Sequence, residues 1–231
     1  VVLAAGGWLL GHRISGRDMD AREPLGLFTS LPILWSEQAD LRDVLTASEG
    51  PHWARAVLER RGKVVALDTL LDLSRLDRMI IAQPRPLSPD ENVALDRWVR
   101  EGGRVLLFAD PMLTQDSTFA LGDRRRPQDV ALMSPILGRW GLELRFDDQQ
   151  PDGLRENTGE ALPVNLAGEL APRAGGVDAR CAIGPQALVA RCNVGKGRAI
   201  IVADAALLEA GDGAETQADR LDALLDDAFR N

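Results

Sequence analysis

The sequence predicts an α/β fold, a mostly parallel β-sheet flanked by helices, with a β-hairpin late in the chain. Short apolar runs alternate along the chain with segments whose apolar residues recur at helical spacing. The apolar runs have continuously apolar middles, as strands do when helices cover both faces of a sheet. The 231 residues are 45% hydrophobic, which is enough for one large core. We therefore expect a single domain over residues 24–231.

The first half of the chain alternates four predicted strands with two predicted helices. The second helix has the clearest start, because Ser88, Pro89 and Glu91 form the pattern of an N-terminal capping box. Gly102 and Gly103 then end that helix. In chain order the sequence predicts a strand at 24–32, a helix at 52–62, a strand at 63–68, a strand at 76–84, the capped helix after Ser88 and a strand at 104–110.

The second half of the chain is less regular. Residues 111–132 are polar and we expect a solvated loop, although Arg124, Arg125 and Arg126 within it offer an alternative anion site. Ser134 is expected to cap a short helix. The remaining predictions are a helix at 133–141, an alternating strand at 142–148, loops or short edge strands at 149–177, a hairpin at 178–194, a buried strand at 199–203 and a closing helix at 218–229.

Cys181 and Cys192 flank the predicted hairpin, whose turn is at Gly184 and Pro185. Two buried free thiols are the interpretation we favour, since cysteine is commonly buried as a small apolar residue. A disulfide is the alternative, because neighbouring strands can bring two β-carbons close enough in an oxidising compartment.

The composition argues against two classes of function. The 27 basic and 35 acidic residues give a formal net charge of −8, without the clustered positive face that nucleic acid requires. Two histidines and two cysteines provide few ligands for zinc. We therefore expect no nucleic-acid partner, no metal and no cofactor.

Residues 1–23 begin with the apolar stretch "VVLAAGGWLLG", which is too short to span a bilayer that needs about 20 apolar residues. We interpret this region as the remnant of an N-terminal membrane anchor or signal segment. That interpretation predicts a location on the periplasmic side of the inner membrane. An amphipathic or buried N-terminal segment is the alternative.

Five polar residues follow the predicted strands and define a candidate ligand-binding crevice. In open parallel sheets, ligands bind at the carboxyl ends of strands. Carboxylates gathered there could bind a metal or act as acid and base, but an aspartate after a strand also commonly caps the next helix. We favour the structural role, because no histidine or cysteine lies near these residues in the sequence, and the standard nucleophile and phosphate-binding motifs are absent. The candidate residues are Ser30, Asp68, Gln83, Asp110 and Asp204.

Three segments carry a resemblance to a known fold family: "IIAQPRPLSPDE", "GGRVLLFADP" and "GKGRAIIVADAALL". Together, over roughly residues 24–228, they resemble the class I glutamine-amidotransferase-like fold, which is flavodoxin-like in arrangement. More narrowly, they resemble the extracytoplasmic domain of gliding-motility-type auxiliary components of ABC transport systems.

The resemblance also identifies what is missing. In the amidotransferases a nucleophilic cysteine follows the strand that "RVLLFAD" resembles, and a histidine ends the strand that "AIIVAD" resembles. Asp110 and Asp204 stand at or next to those positions. A carboxylate is a poor acyl acceptor for amide hydrolysis, and aspartate lacks the near-neutral pKa of imidazole.

From this combination we expect a non-catalytic extracytoplasmic auxiliary domain of an ABC-type transport system. Its expected partners are membrane permease and ATPase subunits, with membrane attachment through the truncated N-terminal anchor. A metal-assisted hydrolase that uses Asp68, Asp110 and Asp204 is one alternative. A small-molecule-binding module is the other.

Overall fold

A seven-stranded β-sheet forms the centre of the fold in the computed structural model, which describes residues 23–35, 37, 52–209 and 214–230. Two small two-stranded sheets lie outside it. In chain order the strands are β1 Pro24–Thr29, β2 Lys63–Ala66, β3 Arg78–Ala82, β4 Arg104–Phe108, β5 Leu142–Arg145, β6 Arg155–Asn157, β7 Leu162–Val164, β8 Glu169–Pro172, β9 Ala179–Ile183, β10 Val189–Val194 and β11 Gly197–Val202.

The large sheet is mostly parallel. Its spatial order is β2-β1-β3-β4-β11-β10-β9, and the first five of these strands run parallel to one another. The last two continue the sheet in antiparallel pairing. In the small sheets β5 pairs with β8 and β6 pairs with β7. The expected mixed α/β architecture is therefore confirmed.

Four α-helices accompany the sheet: α1 Trp53–Arg61, α2 Pro89–Glu101, α3 Ser134–Arg139 and α4 Ala214–Phe229. Helix α4 packs against α1, β4 and β11, whereas α2 packs against β11 and α3. The middles of β3, β4 and β11 are fully buried, as the continuously apolar runs predicted.

The helix ends test the predicted caps. The capping box of α2 is confirmed, because the Ser88 hydroxyl accepts from the Glu91 amide at 3.2 Å and the Glu91 carboxylate accepts from the Ser88 amide at 2.9 Å. The predicted cap of α3 is wrong. Met133 is the N-cap, it makes no side-chain cap bond, and Ser134 already lies inside the helix. Pro135 is tolerated there because the first-turn amides have no intrahelical acceptor.

The late hairpin is present, and its register joins the two cysteines. Cys181 lies directly opposite Cys192, their Cα atoms are 4.0 Å apart, and the two form a disulfide. Our preference for free thiols is therefore wrong. The reason is register: a hairpin brings a given pair face to face only in one pairing, and neither sequence spacing nor residue type specified that pairing.

Removing this disulfide is expected to cost about 3 kcal/mol of unfolding free energy, because the cross-link closes a short loop in the unfolded chain. The double variant Cys181→Ala, Cys192→Ala should show this loss in urea-induced unfolding. Wild-type protein unfolded with a reductant is the matched control and should lose a similar amount. Two freely titrating thiols in the unreduced, denatured wild type would contradict the pairing.

The predicted anchor or signal segment, residues 1–23, falls almost wholly outside the described residues. Within the ranges that the structure does describe, no helix has the length and apolar character needed to cross a membrane.

Candidate functional site

Ser30 and Gln83 tie together the carboxyl ends of β1, β3 and β4. The Ser30 hydroxyl donates to the main-chain carbonyl of Gln83 at 2.5 Å. The Gln83 side chain holds the main chain of Asp110, accepting from its amide at 3.0 Å and donating to its carbonyl at 3.2 Å. Gln83 is fully buried and has a φ of +43°, which is uncommon for a residue with a side chain. Three of the five predicted site residues therefore form one network.

Gln128, from the loop between β4 and α3, occupies the space beside this network. Its amide donates to the Ser30 hydroxyl at 2.9 Å, and its carbonyl accepts from the Gln83 side chain at 2.8 Å. This is the junction between β1 and β3, where strand order reverses and open sheets hold their ligands. The polar groups of Ser30 and Gln83 are thus satisfied by the protein's own main chain.

The carboxylate of Asp110 accepts hydrogen bonds from two main-chain amides. Oδ1 accepts from Met112 at 2.8 Å, and Oδ2 accepts from Ala205 at 3.0 Å, across from β4 to the turn after β11. Asp110 is fully buried. Its carboxylate therefore fixes two turns to each other, which is the structural role that the sequence favoured.

The carboxylate of Asp204, at the end of the neighbouring strand β11, also accepts hydrogen bonds from two main-chain amides. Its Oδ1 accepts from the Ala206 amide at 2.5 Å and its Oδ2 accepts from the Asn165 amide at 3.0 Å. Only 2% of Asp204 is exposed. The two aspartates are neighbours, since Asp110 binds the amide of the residue that follows Asp204.

The pair is electrostatically unfavourable when both carboxyls are ionised. Burial raises the pKa of Asp110 to about 7, with a smaller contribution from the charge of Glu209. Burial also raises the pKa of Asp204 well above its ordinary value, and the charge of Asp110 adds to the effect. Burial likewise raises the pKa of Glu209, which is half-buried and accepts from Thr114 Oγ1 at 2.9 Å. No cation is among the main influences on the pKa of either aspartate.

These shifts predict that stability falls as pH rises between about 4 and about 7, at about 1.4 kcal/mol per pH unit for each proton that the folded pair retains. Across that window the unfolded aspartates have released their protons, whereas the folded pair still retains protons. Unfolding in urea at several pH values measures the slope. His52, whose pKa burial lowers, opposes this trend below about pH 6.5.

The variant Asp110→Asn isolates the contribution of the pair, because the effect of His52 cancels in the difference from wild type. The difference in unfolding free energy should change with pH across the same window, as the titrating carboxyl is gone. A difference that stays constant from pH 4 to about pH 7 would sink this explanation.

Asp68 does not join the other candidate residues. It is exposed at the end of β2, and its carbonyl accepts from Arg85 Nη2 at 2.7 Å. Arg85 in turn binds both carboxylate oxygens of Glu91, at 2.7 and 2.9 Å. The sheet places β1 and β3 between Asp68 and Asp110. The three-aspartate arrangement that the hydrolase alternative requires is therefore not assembled.

Three participants in the site were missed from the sequence: Gln128, Asn165 and Glu209. Asn165 binds Asp204 through its amide and Thr114 through its side chain, at 3.1 Å. All three lie outside regular strands, far in sequence from the residues they contact. No local pattern distinguishes such residues, because their role depends on how loops return to the sheet.

The chemistry that this arrangement offers is limited. The ring of His52 is held by main chain: its Nδ1 accepts from the Ala54 amide at 3.2 Å, and its Nε2 contacts the carbonyl of Leu208, the residue before Glu209, at 3.0 Å. Both ring nitrogens are therefore engaged with main chain, as they are in a neutral imidazole with the proton on Nε2. Within the described part of the chain, no group of three histidine, cysteine or acidic residues could hold a metal ion.

Comparison with known proteins identifies a family without a known activity. A family model described as a domain of unknown function, DUF4350, matches residues 45–216, more than half of the chain. No curated protein matches significantly.

Several solved structures are similar at low identity. The β-galactosidase from Rahnella sp. R3 is 16% identical with a TM-score of 0.48, over 89% of this chain and 31% of that one. The exo-β-1,4-mannosidase Op5Man5 from an Opitutaceae bacterium is 18% identical with a TM-score of 0.49, over 90% and 36%. A cytoplasmic protein of Salmonella typhimurium is 12% identical with a TM-score of 0.42, over 77% and 87%. The chain thus spans about a third of the length of the two glycosidases.

Proposed function

This chain belongs to the DUF4350 family of domains of unknown function, and from that premise we propose that it is a non-catalytic binding domain. Specifically, it serves as an extracytoplasmic auxiliary domain of an ABC-type transport system, with the permease and ATPase subunits as its partners. We further propose that its fold is flavodoxin-like and related to the class I glutamine amidotransferases.

The state of Asp110 and Asp204 carries the non-catalytic part of the proposal. A nucleophile or base must present a free lone pair to substrate, within about 3 Å of the reacting atom. Here the carboxylates are buried, and each accepts two main-chain amides. Withdrawing either group would leave those amides without an acceptor, so both serve to hold the turns in place.

Two further observations support the flavodoxin-like fold and the extracytoplasmic location. The parallel strands follow the order β2-β1-β3-β4-β11, which is the 2-1-3-4-5 order of the flavodoxin-like arrangement. The disulfide between Cys181 and Cys192 favours an oxidising compartment, where structural disulfides form and persist. The apolar stretch within residues 1–23 supports membrane attachment, and the sequence resemblance supports the transporter partners.

Reconstitution with neighbouring gene products tests the transporter role. The full-length parent protein should co-purify in detergent with the permease and the ATPase encoded beside it, and should change the rate of ATP hydrolysis. An unrelated periplasmic domain on the same anchor is the control and should do neither. Fractionation of the parent protein with the cytosol would overturn the proposal.

A separate assay tests the absence of catalysis. Purified wild type and Asp110→Asn should both release no ammonia from glutamine or simple amides. Ammonia release that the substitution abolishes would show that the carboxylate is catalytic after all.

A further inference from the structure

Two arginines meet at the opposite edge of the sheet from the candidate site, at the amino ends of the strands. Arg78 begins β3 and Arg104 begins β4, and the two are register partners in adjacent parallel strands. Register partners lie about 4.8 Å apart and project from the same face of the sheet. Both side chains reach Phe229 at the end of α4: Arg104 Nη1 donates to its carbonyl at 3.3 Å, and the Arg78 guanidinium lies 5.7 Å from its ring centroid.

A cavity of about 420 Å³ opens beside these two guanidinium groups. That volume is within the range of small-molecule sites, which is roughly 300 to 1,000 Å³. Gly102 contributes open space, because a Cβ built there would meet nothing within 4 Å. The lining residues are Glu23, Asp77, Arg78, Gly102, Arg104 and Phe229.

Most of the donor capacity of the two arginines is unused. Each guanidinium has five N–H donors. Arg104 makes the one side-chain bond to Phe229, and none of the described carboxylates lies within ion-pair distance of it. Arg78 Nη2 contacts the Arg61 carbonyl and the Glu23 carboxylate, both at 3.3 Å. The Nε of Arg78 is buried and has no partner among the described residues.

Two carboxylates, Glu23 and Asp77, also line the cavity and equal the two guanidinium groups in number, but both face solvent, which screens their charge. The Glu23 carboxylate is 77% exposed, so its pairing with Arg78 contributes little and a competing anion can displace it. Asp77 is exposed as well. The end of α4 adds about half a negative charge. Capping α4 therefore explains one bond from Arg104, but not the remaining donors that surround the cavity.

We propose that Arg78 and Arg104 form a binding site for a phosphoryl group, with the cavity beside Phe229 holding the rest of the molecule that carries it. Paired guanidinium forks match the oxygens of phosphate bidentately. A phosphoryl group offers three acceptor oxygens and nearly two negative charges, whereas a carboxylate offers two oxygens and one charge. The proposal does not depend on the transporter role.

Calorimetric titration of the full chain with inorganic phosphate, at constant ionic strength, tests the site. We expect a Kd on the order of 1 mM and weaker binding of acetate. Arg104→Gln should weaken phosphate binding by about tenfold or more, because a charge-assisted bidentate contact is lost. Arg145→Gln is the matched control, since Arg145 is 59% exposed and pairs with Glu143 on its own strand, and it should bind like wild type.

A second variant guards against a folding defect in the first. Arg78→Lys keeps the positive charge but removes the paired N–H donors of the guanidinium group. It should weaken phosphate binding by several-fold while unfolding at the wild-type temperature. The absence of phosphate binding up to about 20 mM, or equal binding by wild type and both variants, would overturn the proposal.

Vesicles distinguish the source of the phosphoryl group. Phosphatidic acid carries a phosphate monoester, so binding to phosphatidic acid vesicles but not to phosphatidylcholine vesicles, lost in Arg104→Gln, would identify a lipid headgroup. Binding of free phosphate without any Arg104-dependent vesicle binding would identify a soluble phosphorylated ligand.

Discussion

Replacing Asp96 with alanine is expected to lower the free energy of unfolding by about 4 kcal/mol, a large share of a domain's stability. Only 5% of Asp96 is exposed. Its carboxylate accepts from Arg100 Nε at 2.9 Å, from Arg139 Nε at 2.5 Å and from Trp140 Nε1 at 3.0 Å. Truncation leaves the indole N–H of the buried Trp140 without an acceptor and removes the carboxylate that Arg100 and Arg139 share, at the point where α2 packs against α3.

Urea-induced unfolding measures this loss. Arg97→Ala is the matched control, because Arg97 is the exposed neighbour of Asp96 on the same helix, and its removal should change stability by less than about 0.5 kcal/mol. Asp96→Asn should fall between the two, since it retains one acceptor oxygen. An alanine variant as stable as the Arg97 control would show that this carboxylate does not join the helices.

The second large effect is expected at Gly197, where alanine should cost more than about 3 kcal/mol through overpacking. A Cβ at this position would lie 1.9 Å from the Val99 carbonyl oxygen and 2.3 Å from the Gly103 carbonyl oxygen. Both are main-chain atoms of α2 and the turn after it. Both carbonyls are held by hydrogen bonds, because the Val99 carbonyl accepts from the Gly102 amide at 3.0 Å and the Gly103 carbonyl accepts from the Arg198 amide at 3.1 Å.

Lys196→Ala provides the control for Gly197→Ala. Lys196 is exposed, and its contact with α2 is made by its main-chain amide, which donates to the Arg100 carbonyl at 2.9 Å and is retained in the variant. Thermal unfolding should therefore leave the Lys196 variant near the wild-type midpoint and shift the Gly197 variant strongly downward. Equal midpoints for the two variants would mean that β11 can move away from α2 without a loss of stability.

Gly197→Ala also bears on the proposed phosphoryl site, which lies at the amino ends of the strands. Gly197 and Arg104 begin adjacent strands, and Arg104 pairs in register with Arg198. A displaced β11 would therefore disturb Arg104, so stability should be checked before any loss of phosphate binding is attributed to a single arginine.

Several features of this protein follow from the sequence by itself. The alternation of apolar runs with helical periodicity predicts the order of strands and helices, because the spacing of apolar residues must match the period of the element that buries them. The capping box at Ser88 and Glu91 is local, so its residues could be identified without any knowledge of the fold. The placement of Asp110 and Asp204 at strand ends is likewise readable from the chain.

Other features depend on contacts between distant segments, and only the tertiary structure decides them. Hairpin register, which sequence spacing left open, pairs Cys181 with Cys192. Strand order, which local periodicity does not encode, separates Asp68 from Asp110 and makes Asp204 a neighbour of Asp110 instead. The main chain of Gln128 forms hydrogen bonds with the side chains of Ser30 and Gln83, because a loop folds back over the junction of β1 and β3. Periodicity acts over a few residues, whereas a site is built by chain segments that meet only after the sheet has formed.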